Sequence, residues 1–181
     1  MKHLVKKANI YMHGTSLTKL DSILQNGLEI GKQKLDDRFL SDKNTTYFTE
    51  DLRTALWHAS KWSDSEFNAV IYFNLDENNI SHKDEILDWD KIDWDSYYQS
   101  KNHEIDPMFD FQHIVSYKGS VSPDKIIKIE FYPDFDDKPL YSCTPQEYLS
   151  NKDQIIESVK ELDEKLYQEF QKHEDYQNEG D

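Results

Sequence analysis

Apolar residues in this chain fall into short runs separated by polar segments, and their spacing predicts strands that alternate with helices. Residues 10–12 are apolar and aromatic, which indicates a first strand with His13 at its end. From 17 to 28 apolar residues recur every three or four positions, as on one face of a helix, and Ser16 is in position to cap it. The pair Asn26-Gly27 is a typical helix stop. The pattern therefore predicts a strand followed directly by a helix.

A second strand and helix follow a polar segment. Residues 31–46 show no periodic pattern, which predicts an exposed loop. Residues 47–49 predict a short strand, and the helix after it carries its apolar residues on one face, with Thr49 or Asp51 as its cap. Residues 69–75, rich in β-branched and aromatic side chains, form the clearest strand signal in the chain.

The following region predicts two more strands. Residues 84–98 come first and indicate irregular or helical structure. Residues 111–117 and 125–132 each predict a strand, and the segment between them contains the turn residues Gly119 and Pro123. We therefore expect the two strands to form a β-pair joined by a turn.

The last part of the sequence predicts a half-exposed strand and then a long helix. Within the strand at 125–132, apolar residues alternate with Lys128 and Glu130, so the two charged side chains should face solvent. Residues 133–145 look like a linker, and an acidic helix follows. The apolar stripe of this helix consists of Ile155, Val159, Leu162, Leu166 and Phe170. Strands interspersed with helices predict a mixed α+β domain.

Composition narrows the class of protein. The chain has 181 residues and a formal net charge of -15. Such an acidic chain repels a phosphate backbone, whose binding needs a Lys/Arg surface, so a nucleic-acid partner is disfavoured. The lone cysteine, Cys143, excludes an internal disulfide, and the apolar runs are too short for a secretory signal or a membrane span. We expect one soluble cytoplasmic protein that binds no membrane.

Three short motifs lie at predicted strand boundaries. His13-Gly14-Thr15 joins the first strand to its helix, Tyr47-Phe48 begins the second strand, and Gln112 stands near the start of the strand at 111–117. In this order and context the chain resembles the ADP-ribosyltransferases, in the diphtheria-toxin and poly(ADP-ribose)-polymerase branch with a His, Tyr and Glu/Gln signature. The resemblance covers roughly residues 8–132.

The resemblance implies a domain organisation and a substrate. Residues 1–142 would form the ADP-ribosyltransferase-like catalytic domain, with a split β-sheet core and flanking helices. Residues 143–181 would add an acidic C-terminal helical extension packed on the same domain. NAD would be the substrate, and the protein would clamp its nicotinamide ring, hold the ribose and place a nucleophile on the opposite face.

The first motif would supply contacts to NAD. By resemblance, His13 would hydrogen-bond a ribose hydroxyl, Gly14 would offer its backbone to the nicotinamide carboxamide, and Thr15 would bind the distal ribose. The alternative is a strand-to-helix turn with a solvated histidine. If His13 must donate from one particular ring nitrogen, activity should change near the ordinary histidine pKa of about 6.5.

The second motif would hold the nicotinamide ring. By resemblance, Tyr47, paired with Phe48, would stack on the ring, which is worth about 0.5–1.5 kcal/mol beyond area burial. In the next helix Thr54 would contact the carboxamide, and Trp57, or His58 one position on, would take the other ring face. The alternative is that these aromatic side chains belong to the core.

The third motif departs from the family, which has an acid where this chain has Gln112. A glutamine amide can bond a ribose hydroxyl but cannot supply negative charge to an oxocarbenium ion. Asp110 would lie on the same strand face and is a candidate source of that charge; the alternative for Gln112 is a strand-edge polar residue. Arg38 would meet the pyrophosphate, although a solvated surface arginine is the simpler interpretation.

We therefore expect a mono-ADP-ribosyltransferase that moves ADP-ribose from NAD to a protein acceptor, in which Gln112 goes with single-unit transfer. An NAD glycohydrolase and an acidic, non-catalytic interaction or inhibitor protein are the alternatives. An NAD-dependent RNA 2′-phosphotransferase on the same fold would need more Arg and Lys around its pocket. The acceptor would be selected by residues 103–110. No metal-binding motif occurs, and the Asn-, Lys-, Ile- and Asp-rich composition hints at a bacterial or phage source.

Overall fold

The computed structural model describes residues 9–30, 45–61, 67–82, 114–134 and 136–178, apart from the side chains of Lys61 and residues 173–178. The strands are β1 (Ile10–Thr15), β2 (Thr45–Thr49), β3 (Phe67–Asn74), β4 (Ile80–His82), β5 (Ile114–Lys118), β6 (Ile126–Pro133) and β7 (Tyr141–Cys143). The helices are α1 (Leu17–Asn26), α2 (Leu52–Lys61) and α3 (Pro145–Asn178). The predicted α+β class is confirmed.

The seven strands form one antiparallel sheet in the order β4-β5-β2-β1-β3-β6-β7. Successive β1 side chains face opposite sides of this sheet, as the two-residue period of a strand requires. Tyr11 belongs to the larger core cluster together with residues of α1 and α3, whereas Met12 packs with Ala55 of α2. The sheet is therefore covered by α1 and α3 on one face and by α2 on the other.

The predicted pairing of the strands near 111–117 and 125–132 is wrong. β5 pairs with β2 and β4, whereas β6 pairs with β3 and β7, so β1, β2 and β3 all lie between them. Closeness in sequence does not fix a partner here, because β5 and β6 form their backbone pairings with strands from much earlier in the chain. The structure also adds β4, and it adds β7 inside the predicted linker.

The first helix begins and ends where the sequence predicts, but its predicted cap is wrong. Ser16 occupies the N-cap position with an extended backbone, yet its hydroxyl lies 2.9 Å from the Thr18 hydroxyl and makes no cap hydrogen bond. Gly27 ends the helix at φ 77°, and its N–H donates to the Ile23 carbonyl at 2.8 Å. The glycine is required there because other residues rarely adopt a positive φ.

The second helix is capped by Asp51, one of the two predicted alternatives. The Thr54 N–H donates to Asp51 Oδ2 at 2.8 Å, which is the bond expected of an N-cap carboxylate. Thr49 instead accepts from the Asp51 N–H at 3.0 Å and so shapes the turn before the helix. This arrangement fixes where α2 starts relative to the end of β2.

The third helix starts with a reciprocal cap and then bends. The Thr144 N–H donates to Glu147 Oε2 at 2.7 Å, and the Glu147 N–H donates to the Thr144 hydroxyl at 3.2 Å, a capping box. At Asn151 the backbone leaves helical geometry (φ -134°, ψ 27°), and the side-chain amide donates to the Glu147 carbonyl at 3.2 Å. The side chain thereby satisfies a carbonyl at the kink.

The apolar stripe of α3 is buried over only part of its length. Tyr148, Ile155 and Val159 belong to the larger core cluster, so the first half of the helix packs on the sheet. Farther along the same stripe, Leu162 is 41% exposed and Phe170 is 47% exposed. None of the helices in the described part of the chain has both the length and the apolar character that a membrane crossing needs.

Glu130 is buried, contrary to the prediction that it faces solvent. Its Oε2 accepts hydrogen bonds from the phenols of Tyr72 and Tyr132, each at 2.5 Å, and its Oε1 accepts from Lys128 Nζ at 2.8 Å. Burial raises the pKa of the Glu130 carboxyl, but the three donors outweigh burial and hold the pKa below its usual value. The period-two pattern cannot show this, because it does not reveal that both faces of β6 are covered.

Candidate functional site

The sheet opens between β1 and β2. These strands are registered at one pair, Met12 opposite Thr49, whereas β1 and β3 are registered from Ile10 to Thr15. Beyond the Met12 pair, the end of β1 that carries the first motif has no registered partner on β2 among the described residues. The first two predicted motifs therefore flank the same opening.

His13 bridges this opening. Its Nδ1 lies 3.3 Å from the backbone carbonyl oxygen of Tyr47. A carbonyl only accepts hydrogen bonds, so Nδ1 carries the proton and Nε2 is left as an acceptor. The ring also meets Phe48 edge-on, with ring centres 6.2 Å apart. Two motifs separated by 34 positions are thus joined by one side chain.

The imidazole of His13 is neutral over the physiological pH range. Burial lowers its pKa, the bond to the Tyr47 carbonyl partly opposes this, and the charges of His58 and Lys19 lower it further, to about 4. The expectation of a titration near 6.5 is therefore wrong. Sequence alone gives no measure of burial, and burial is the main cause of the shift.

Gly14 is the point where α2 rests on β1. A Cβ on this residue would lie 1.8 Å from the Ala55 carbonyl oxygen and 2.9 Å from the Ala59 backbone nitrogen. The backbone of α2 occupies the direction in which a side chain at position 14 would point. The glycine therefore sets how closely α2 approaches the sheet.

Thr15 and Phe48 are core residues. Thr15 is 4% exposed, and its hydroxyl lies 3.5 Å from the Ser16 carbonyl. Phe48 is 3% exposed, and its ring meets Phe73 edge-on at 5.1 Å. Their burial gives both residues a supporting role beneath the opening, and the cofactor contacts expected of them stay predictions.

Tyr47 lies on the face of the sheet that carries α2. Thr49 is opposite Met12, and strand alternation puts Tyr47 on the same face as Thr49. His13 follows Met12 on β1, so its side chain lies on the other face of the sheet. Its ring contacts the backbone of Tyr47 and not the Tyr47 ring. The partly buried Tyr47 phenol is therefore on the side of the predicted α2 residues.

The predicted α2 residues differ in how accessible they are. Thr54 is 4% exposed, and its hydroxyl donates to Asp51 Oδ2 at 2.9 Å, so only its lone pairs remain for a ligand. Trp57 and His58 are partly buried and contact each other edge-on, with ring centres 4.9 Å apart. A ligand contact of Thr54 stays a prediction, and the sequence pattern does not reveal the bond of Thr54 to the capping carboxylate.

Three other predicted positions lie outside the described residues: Arg38, Asp110 and Gln112, together with the acceptor segment 103–110. β5 begins at Ile114, opposite Thr49 of β2, so Gln112 precedes a strand that borders the second motif. Their roles stay predictions. Among the residues that the structure describes, no cluster of His, Cys, Asp or Glu has the arrangement to hold a metal ion.

A separate groove of roughly 380 Å³ lies between β7 and α3, lined by Tyr141, Glu147, Asn151, Gln154, Ile155 and Ser158. None of the predicted site residues contributes to it. Its polar lining comes from the kinked start of α3 and not from β1 or β2.

No family model matches this chain, and no curated protein matches it. Among solved structures, it is similar to the one named EcPltA, with 10% sequence identity and a TM-score of 0.45. That match covers 77% of this chain and 87% of the other. A likeness at this level assigns neither family nor activity.

Proposed function

We propose that this chain is a mono-ADP-ribosyltransferase with the split sheet of the diphtheria-toxin and poly(ADP-ribose)-polymerase branch. The observation that carries the proposal is the contact between His13 Nδ1 and the Tyr47 carbonyl across the β1–β2 opening. It brings together two of the three motifs in which this chain resembles that branch. NAD is the donor substrate, and a protein side chain is the acceptor.

The reaction replaces nicotinamide by the acceptor at the anomeric carbon of the ribose. The bond from that carbon to the ring nitrogen breaks, and its electron pair neutralises the pyridinium charge. A lone pair of the acceptor forms the new bond, and the acceptor loses a proton to solvent. The transition state has oxocarbenium character, as in glycoside hydrolysis.

The chain's own residues orient the donor. With Nδ1 committed to the Tyr47 carbonyl, His13 Nε2 accepts a hydrogen bond from a ribose hydroxyl. The Tyr47 ring stacks on the nicotinamide from the α2 side, and Trp57 or His58 closes the other ring face. The backbone of Gly14 bonds the carboxamide. These groups hold the reacting atoms in place, which is a large part of what catalysis of this kind needs.

Gln112 makes the proposed enzyme slow and limits it to single-unit transfer. An amide donates and accepts neutral hydrogen bonds, which are about half as strong as those to a charged group. A carboxylate at Asp110 would supply the missing charge. Exchanging Gln112 for Glu should therefore raise the rate if the site is built as proposed.

Nicotinamide release from NAD tests the proposal directly. The purified protein is incubated with NAD and a host extract, and free nicotinamide is measured by chromatography for wild type, His13→Ala and Tyr47→Ala. We expect release by wild type and loss of at least tenfold in both variants, with Tyr141→Ala as a matched control on β7. Release without any modified protein in intact-mass spectra identifies the glycohydrolase alternative, and no release contradicts enzymatic function.

A non-catalytic, acidic interaction protein is the second candidate. It is favoured by the net charge of -15 and by the exposed half of the α3 stripe. It predicts that charge reversal on α3 abolishes biological activity and that His13→Ala has no effect. The enzyme proposal predicts the opposite pattern.

A further inference from the structure

The second half of α3 extends an apolar stripe past the part of the helix that packs on the sheet. α3 has 34 residues, so it spans roughly 50 Å at about 1.5 Å per residue. Ile155 and Val159 are 3% and 0% exposed, whereas Leu162 is 41% exposed. Single exposed apolar residues are ordinary, but exposed residues in helical register, here Leu162 and Phe170 with the half-buried Leu166 between them, indicate a contact surface.

The row is continuous along one side of the helix. Leu162, Leu166 and Phe170 follow Ile155 and Val159 at spacings of three and four, so all five lie on one stripe. Tyr167, 50% exposed, widens the stripe on one flank. We name the set of Leu162, Leu166, Tyr167 and Phe170 the distal stripe.

The distal stripe is framed by acidic residues. Between Lys160 and Asn178 the sequence has six Asp or Glu and three Lys, and the whole chain has a net charge of -15. Glu161 stands four residues before Lys165, a pairing that supports a helix even where packing does not. Such a pair adds a small amount to the stability of this part of the helix.

Charge selects what docks on this surface. A second copy brings another -15 and an identical acidic frame, so like charges oppose self-association. A partner with Lys or Arg beside its own apolar stripe gains both apolar burial and charge complementarity. We propose that the distal stripe binds a basic amphipathic helix of a partner protein, side by side, as in helix-to-helix recognition. This surface acts independently of the nucleotide chemistry proposed for β1 and β2.

A designed peptide tests the proposal on the full chain. The probe is a fluorescein-labelled peptide of Leu and Lys in a heptad repeat, compared with a scrambled peptide of the same composition. Fluorescence anisotropy at physiological ionic strength should show saturable binding of the heptad peptide and at least tenfold weaker binding of the scrambled one. The scrambled peptide has the same charge, so a difference in affinity between the two peptides shows that the ordered apolar face of the heptad peptide contributes to binding.

Variants locate the binding. Leu162→Ser combined with Phe170→Ser should weaken binding of the heptad peptide at least tenfold, and Leu149→Ser should leave it unchanged. Leu149 is the matched control because it is 52% exposed on the same helix, before the kink. All three positions are exposed, so we expect each variant to keep the fold. Circular dichroism of each variant checks this.

Three outcomes overturn the proposal. Equal binding of heptad and scrambled peptides shows attraction by charge alone. Unchanged binding by the double variant places the contact elsewhere. A wild-type dimer in light scattering that the double variant abolishes makes a second copy the occupant in place of a basic partner.

Discussion

His13 shows how burial decides what a residue can do. The same side chain that marks the first motif in the sequence is neutral because its surroundings penalise the charged form, with a pKa of about 4. The Nδ1 contact to Tyr47 then leaves Nε2 as an acceptor. The motif marks the residue, but its protonation state depends on its burial and on the charges of His58 and Lys19, which no local pattern encodes.

The shifted pKa predicts a pH-dependent stability difference. The unfolded imidazole has a pKa near 6.5, so between pH 6.5 and 4 the unfolded chain binds a proton that the folded protein does not. The contribution of neutral His13 is complete above pH 6.5 and is lost as the pH falls toward 4. It amounts to about 3 kcal/mol, because one pKa unit corresponds to about 1.4 kcal/mol.

Urea unfolding of wild type and His13→Gln at pH 7.5 and pH 4.5 measures this difference. Glutamine does not titrate, so the wild type should lose stability relative to the variant as the pH falls. All other groups titrate alike in the two proteins and cancel. A stability difference that stays constant across this range would show that His13 has an ordinary pKa in the folded protein.

Gly14 carries a second prediction at the scale of one residue. Gly14→Ala puts a methyl group 1.8 Å from the Ala55 carbonyl, so α2 must move away from the sheet. Forcing extra volume into a packed site typically costs about 1–3 kcal/mol. We expect a loss at the upper end of that range in urea unfolding, because the clash is with backbone.

Gly119→Ala is the control for Gly14→Ala. Gly119 has φ 99° and no neighbouring atom within 4 Å of the position of a Cβ, so its substitution adds backbone strain without a clash. It should cost about 1 kcal/mol. If Gly14→Ala is as mild as Gly119→Ala, α2 does not sit on β1 as closely as described.

At the scale of elements, the sequence predicts which segments form helices and strands better than which strands pair. Local patterns give β1, α1, α2 and β3, because each depends on side chains close together in the chain. The partner of β5 is β2, some seventy positions earlier in the chain, and the partner of β6 is β3. Such pairings follow from which apolar faces are buried together, and a turn between two neighbouring strands does not reveal them.

The Glu130 cluster is an element-scale feature that alternation hides. Tyr72 of β3 stands opposite Lys128 of β6, and both contact Glu130, so one carboxylate ties the two strands together. Lys128 Nζ also lies 3.9 Å from the centre of the Tyr72 ring. The cluster lies on the face covered by α2, where Tyr72 and Tyr132 pack with Leu52 and Leu56.

Glu130→Gln tests how much this cluster contributes to the free energy of unfolding. The amide keeps the volume but gives up charge-assisted bonds from two phenols and an ammonium group, so we expect a loss of about 2–3 kcal/mol in urea unfolding at pH 7. Glu147→Gln is the matched control, since glutamine also serves in a capping box. This control should change stability much less. An equal loss of stability in the two variants would show that the Glu130 cluster does not stabilise the fold as proposed.

At the scale of the molecule, a sheet that opens between β1 and β2 is combined with a helix that runs past the core. The first half of the predicted α3 stripe is buried, and the second half is exposed, a boundary that a sequence of uniform pattern does not show. The site is likewise partly predictable. The motifs of His13 and Tyr47 lie next to each other, but the His13 ring meets the Tyr47 backbone and not its phenol, and the burial of Thr15 and Phe48 follows from the packing of neighbouring strands.

We propose that the opening flanked by His13 and Tyr47 binds NAD. Isothermal titration of the purified chain with NAD at pH 7.5 tests it without any acceptor. We predict binding by wild type, retention in Tyr47→Phe, which keeps the ring, and at least tenfold weaker binding in Tyr47→Ala and His13→Ala. Absence of binding by the wild type, or binding that neither alanine variant weakens, would contradict the claim.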